Sequence, residues 1–216
     1  MMVDEFNNDE VISMAVDYSF KINLLDTVLI SIHNCRLGFV NALTEVTESL
    51  NEDKYTQIFV QQNQFYLQNY PLHVSVQYRD ISGKTKGIPD IHYSFIEQGK
   101  YNEPFFLIEA KRLPTPSKTR EKEYVTSKNN SGGMERFKKG IHGLNKNHCG
   151  IIGFIEKEDE KYWYTKINEW IELQSLTDCE WKRDEILTLV NPTYYSSVLH
   201  RENDDLKLHH FLIKVK

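Results

Sequence analysis

"GIPDIHYSF" (87–95), a short turn, and then "PFFLIEAKR" (104–112) form the stretch on which the fold of this chain turns. Both runs are rich in β-branched and aromatic residues, as strands are. The second is almost continuously apolar, which suits a strand covered on both faces. Yet Asp90 sits in the first run, and Glu109 and Lys111 interrupt the end of the second. Charge is costly where a core should be, unless it is paired or binds something.

The turn "EQGKYNE" (97–103) is short, so the two strands should pair antiparallel. A turn centred near residues 99 and 100 sets Asp90 opposite Glu109. Facing residues have Cβ atoms about 4.5–5.5 Å apart. Two carboxylates at that spacing repel unless a cation lies between them. Mg²⁺, which takes oxygen ligands at about 2.0–2.1 Å, matches such a pair. Side chains at i and i+2 of a strand share a face, so Lys111 projects beside Glu109 while Ala110 points away. The lysine could hold or polarise a water, or stabilise charge growing on a phosphate. Two acids and a cation on one face of a hairpin suit metal-assisted phosphodiester hydrolysis.

With "PD" at 89–90, eighteen intervening residues, and "EAK" at 109–111, the chain resembles the PD-(D/E)xK nuclease superfamily, which includes restriction-endonuclease-like and repair nucleases. The likeness extends through "EAKRL", "GGMERFKKGIHG" and "GIIGFI", over roughly residues 72 to 157, and is similar to uncharacterised bacterial members. It implies an α/β fold with a mixed central β-sheet flanked by α-helices, and Mg²⁺- or Mn²⁺-dependent cleavage. Carried over by motif, Asp90 and Glu109 are metal ligands, Lys111 is the catalytic lysine, and the Ala110 backbone carbonyl joins the metal shell. An upstream helix often supplies a further acid. Glu45 and Glu48 are the candidates, and Glu45, nearer the apolar stripe of Leu43, Val46 and Leu50, is preferred; either could equally be a solvated helix residue. DNA is the implied substrate, restriction or antiphage defence an implied setting, and a homodimer or a recognition subunit an implied partner.

Around this hairpin the chain reads as helices first and strands later. Two helical stripes run from about Phe20 to Leu50, broken near Asn34 or Gly38. A third helix covers 53–70, with Ile58, Phe65 and Leu67 inward. "LHVSVQYRD" (72–80) alternates as a strand. Residues 113–131 are a polar loop, 132–144 a helix, 149–157 a buried strand, and 159–176 an amphipathic helix lined by Trp163, Ile167, Trp170 and Ile171. The tail from 196 folds as a hairpin turned at Asn203-Asp204-Asp205. No repeat or linker divides the chain, so 1–216 is read as one domain with a frayed acidic stretch at 1–16.

Charge is unevenly spread. The net charge is −5, yet residues 111–139 hold nine basic and three acidic side chains, a net of +6. Arg112, Arg136, Lys138 and Lys139 are therefore candidate phosphate contacts, or simply a solvated basic face. Gly132-Gly133 could open helix amides to an anion, or merely turn the chain. His92 shares the Asp90 side and reads more simply as a structural histidine. His209 and His210 should point to opposite faces. Tyr162, Trp163, Tyr164 and Trp170 read as core or sheet-covering residues. Cys35, Cys149 and Cys179 have no zinc-type spacing and read as free thiols of a cytoplasmic protein. No apolar run is long enough to cross a membrane. An acidic chain with these motifs has one further reading, a catalytically silent nuclease-like fold that binds nucleic acid or a protein.

Overall fold

A computed structural model of the chain describes residues 24–81, 83 and 85–215. The acidic stretch 1–16 and the start of the first helix lie outside these residues. Seven strands form one mixed sheet in the order β1-β2-β3-β4-β7-β6-β5. They are β1 (Leu72–Val76), β2 (Ile91–Phe95), β3 (Pro104–Leu113), β4 (His148–Ile155), β5 (Thr188–Asn191), β6 (Tyr194–His200) and β7 (Asp205–Lys214). The β3–β4 and β4–β7 pairs are parallel and the rest antiparallel.

Helices cover both faces. On one side lie α1 (24–34), α2 (Arg36–Thr44) and α3 (Glu52–Leu67). The break between α1 and α2 falls at Cys35, between the two expected positions. Val28, Ile32, Phe39, Tyr55 and Phe59 meet Ile91, Tyr93, Ile108 and Phe154 in the larger core. On the other side lie α4 (Gly133–Lys138) and α5 (Glu160–Thr177). Trp163, Ile167, Trp170 and Ile171 pack there on the reverse of the sheet, as their helical spacing predicts. Asp159 starts α5 by accepting the Tyr162 N–H at 2.7 Å. Burying one large apolar side chain stabilises by about 1.5–3 kcal/mol, so these two cores dominate the favourable side of folding.

Two expectations change. In α3 Tyr55, Phe59, Asn63 and Leu67 are buried and Ile58 packs partly buried on the core, so Leu67 and Ile58 turn inward as read, while Phe65 is 65% exposed. A polar residue on the inner stripe hid the true phase. Asn63 is tolerated because its Oδ1 accepts the Tyr93 hydroxyl at 3.0 Å and its Nδ2 donates to Ser31 Oγ at 3.1 Å. The helix expected over 132–144 stops at Lys138, where Gly140 and Gly143 take φ of +64° and +66° and turn the chain. The terminal hairpin forms as read. It inserts between β4 and β5, so β7 becomes a central strand. His209 and His210 do face opposite sides: His209 meets Phe106, and His210 bonds Tyr124 Oη at 3.0 Å.

Candidate active site

The β2–β3 register is the one the turn implied: Ile91 faces Ile108, His92 faces Leu107 and Tyr93 faces Phe106. One further step along this register sets Asp90 against Glu109. Asp90 lies just before β2 rather than inside it, and its Oδ2 accepts the Ala110 N–H at 2.7 Å. This side chain therefore takes a main-chain donor of β3, which fixes its carboxyl at the strand.

Glu109 is fully buried and collects three positive or potentially positive groups. Lys111 Nζ and Arg136 Nη1 each donate to its Oε1 at 2.7 Å. His142 Nδ1 stands 3.1 Å from Oε2, yet neither of those two atoms makes a hydrogen bond of good geometry. Lys111 also donates to the Ala110 carbonyl at 2.8 Å and lies 3.6 Å from Glu52 Oε1. The other oxygen of Glu52 accepts the Arg112 N–H at 3.1 Å. Three carboxylates thus surround one buried lysine, at the C-terminal end of β3, where open α/β sheets commonly place their ligands.

The electrostatics follow from this crowding. Burial, and then the negative charge of Glu109, push Asp90 up to about 7, against the pull of Lys111 and the Ala110 N–H. Burial also works against ionised Glu109. Lys111, His142 and Arg136 outweigh it and hold that carboxyl down to about 2. Lys111 resists its own burial because Glu109, Glu52 and Asp90 all favour the ammonium, so its pKa is raised. Glu52 is raised, chiefly by burial. The acid pair is split: Glu109 is ionised and Asp90 keeps a proton until near neutrality.

Two of these residues escaped the sequence reading. Glu52, not Glu45, is the upstream helix acid that lies near Lys111. Glu45 sits exposed at the C-cap of α2, and Glu48 pairs with Lys54 at the surface. Asn51 caps α3 by accepting the Lys54 N–H at 2.9 Å, which places Glu52 in the first turn beside β3. An Asn followed by two acids was a legible helix start. The other omission is His142, bracketed by the two turning glycines. It packs so closely on Gly87 that a Cβ there would lie 2.2 Å from its ring.

The expected phosphate contacts are otherwise engaged. Arg112 points to the opposite face and forms a two-point pair with Glu156 at 2.7 and 2.9 Å. Arg136 is bound to Glu109, with 30% of its side chain exposed. Lys139 donates to Asn130 at 2.6 Å and lies 3.6 Å from Glu135. The amides of Gly133, Met134 and Glu135 donate to the carbonyls of Glu123, Tyr124 and Val125, so the glycine pair serves close packing and not anion capture. His92 is half-buried against Tyr78 and stays off the Glu109 cluster. Burial lowers its pKa to about 4.

Among the described residues no group of three or more His, Cys, Asp or Glu side chains is arranged to hold a metal ion, and no helix is long and apolar enough to cross a membrane. No family model matches the chain, and neither a curated protein nor a solved structure matches it.

Proposed function

We propose that this chain is a Mg²⁺- or Mn²⁺-dependent nuclease of the PD-(D/E)xK, restriction-endonuclease-like type, cutting phosphodiester bonds in DNA in the cytoplasm. The observation that carries the reading is that Glu109 and Glu52 both approach buried Lys111, while Asp90 is held at the adjoining Ala110 N–H, near enough for its charge to act on the same lysine. Charges of this density at a strand end are far costlier than a structural ion pair needs, and they cluster where chemistry is done.

The donor chemistry fits a hard divalent cation: carboxylates and a main-chain carbonyl, with no thiolate. The buried Oε2 of Glu109, which lacks a well-formed hydrogen bond, is an acceptor that a cation would satisfy. Asp90, Glu109 and the Ala110 carbonyl would hold the ion, with Glu52 as a further acid. When bound, the ion supplies an activated water and a Lewis acid for the phosphate. The chain's own residues do the rest. Lys111, held charged by three acids, presents an ammonium to the attacking water or to an equatorial phosphate oxygen. Arg136 is the partly exposed member of the cluster and can exchange Glu109 for a phosphate oxygen, a geometry guanidinium suits. His142 backs Glu109 from the buried side.

A second reading has an observation in its favour. Glu109 Oε1 is already claimed by two cations, as expected for a nuclease-like fold that only binds. Incubation with plasmid and linear DNA plus Mg²⁺ or Mn²⁺ separates the two. Cleavage that disappears in Asp90→Asn and Lys111→Met supports the nuclease. Cleavage unchanged in both variants refutes the assignment, and calorimetry without Mn²⁺ binding favours the silent fold.

A further inference from the structure

The basic segment noted in the sequence acquires a shape in the structure. Between β3 and α4, residues 114–132 form a fixed strap whose Arg120 and Glu123 lie near enough to Glu52 for their charges to interact with it. Tyr124 and Val125 are fully buried. The carbonyls of Glu123, Tyr124 and Val125 receive the amides of Gly133, Met134 and Glu135 at 2.8–3.0 Å. Gly133 in turn lies against Lys111, where an added Cβ would stand 3.5 Å from its Cγ. The strap is therefore tied to the first turn of α4, which packs against Lys111.

Its outer side is cationic. Lys118, Lys122 and Lys128 are exposed and make no ion pair or side-chain hydrogen bond among the described residues. Arg120 stands beside them, 53% exposed and paired with Glu123 at 2.6 Å. The contrast with Arg112, Arg136 and Lys139, all engaged, is plain. Within eleven residues of one strap these three lysines and Arg120 are exposed against a single exposed acid, Glu121, a local excess of positive charge that a polyanion would neutralise. The charge of the chain as a whole is negative, so this strap is a local feature and not a general basic surface.

We propose that the 114–132 strap is the surface that grips the phosphate backbone of the nucleic acid, through Lys118, Lys122 and Lys128, next to the site that α4 borders. This rests on the nuclease reading above and extends it to the binding surface. Phosphate neutralisation releases counterions, so three contacts contribute about 2.7 to the slope of log affinity against log salt for duplex DNA, and about 2.1 for a single strand.

The test is binding alone, in EDTA, to fluorescent duplex and single-stranded DNA and to RNA of equal length, between 50 and 200 mM salt. The comparison is the intact chain, the triple variant Lys118→Gln/Lys122→Gln/Lys128→Gln, and a charge-matched control carrying Lys161→Gln, Lys207→Gln and Lys214→Gln. The intact chain should lose about 40-fold more affinity across that salt range on duplex DNA than the strap variant does, with the control unchanged. Which polymer binds most tightly at equal salt identifies the substrate, since duplex gives the steeper slope for the same contacts. An unaltered slope in the strap variant, an equal fall in the control, equal binding to anionic vesicles, or no binding by the intact chain at 50 mM salt each overturns the proposal. Because no metal is present, binding that persists while cleavage and Mn²⁺ binding are absent overturns the nuclease alone.

Discussion

Arg136→Gln should tighten Mn²⁺ binding while weakening cleavage. Arg136 Nη1 lies 2.7 Å from Glu109 Oε1, the carboxylate we assign to the metal. Two unit charges at about 4 Å attract by ~4 kcal/mol in an effective dielectric near 20. That gross figure shrinks, because 30% of the Arg136 side chain is exposed and its solvation is partly retained. A net competition of about 1–2 kcal/mol remains, equal to a ~5–30-fold change in dissociation constant. Lys111 still neutralises Glu109 in the variant, so the fold should survive. Calorimetric titration with Mn²⁺ at pH 7.5 reads the effect, with Glu109→Gln as the control that should abolish binding. Glutamine also lacks the charge needed at a phosphate, so DNA cleavage at saturating Mn²⁺ should fall. Equal or weaker Mn²⁺ affinity in Arg136→Gln would falsify the competition, and binding that survives Glu109→Gln would move the metal elsewhere.

The remaining predictions use the same cluster. Asp90 has a folded pKa raised from the ordinary 3.8 to about 7, so the folded chain binds more protons than the unfolded one between those values. Its contribution is complete below about 4 and is lost as pH rises through 7, by up to ~4 kcal/mol. Urea melts of the ion-free protein at pH 5 and pH 8 should show about 2–3 kcal/mol of that loss, the part that falls above pH 5, and Asp90→Asn should remove it; identical pH dependence in both chains refutes it. Lys111→Met should cost about 2–4 kcal/mol, since Glu109 keeps Arg136 but loses the more buried of the two cations on its Oε1. That cost is read by the same melts. Gly87→Ala forces a Cβ to within 2.3 Å of the Ile141 carbonyl and 2.2 Å of the His142 ring. About 1–3 kcal/mol of destabilisation should follow, together with weaker Mn²⁺ binding. Glu52→Gln should reduce cleavage, whereas Glu45→Gln, on the exposed C-cap of α2, should leave it unchanged.

Strand pairing was legible because it is local. The turn between β2 and β3 is short and side chains alternate with period two, and over Ile91–Tyr93 the pairing is the one these constraints imply, which one step further sets Asp90 level with Glu109; nearer the turn an irregularity between Tyr93 and Ser94 shifts it by one residue. The α5 stripe was legible for a similar reason: four large apolar residues recur at helical spacing with no polar interruption. The phase of α3 was not, because Asn63 occupies a core position that its partners Ser31 and Tyr93, about thirty residues away, make acceptable. Nor could the segment before the terminal hairpin be placed. It supplies edge strand β5, and buried Glu185, which pairs with Lys138 of α4.

The same division runs through the candidate site. Asp90, Glu109 and Lys111 are joined by one hairpin, so the chain by itself determined that they share a face. Which upstream acid joins them, and which cations hold Glu109, was decided by tertiary packing. Glu52 arrives from α3, 57 positions before Glu109, and Arg136 and His142 arrive from α4 and the turn after it. Net charge per segment marked residues 111–139 as basic, but charge counts carry no direction. Packing turned Arg112 to Glu156 and Arg136 to Glu109, and left Lys118, Lys122 and Lys128 facing solvent. Local period and turn length settle neighbours along a hairpin; long-range contacts depend on how whole helices dock on the sheet, and no window of sequence contains that information.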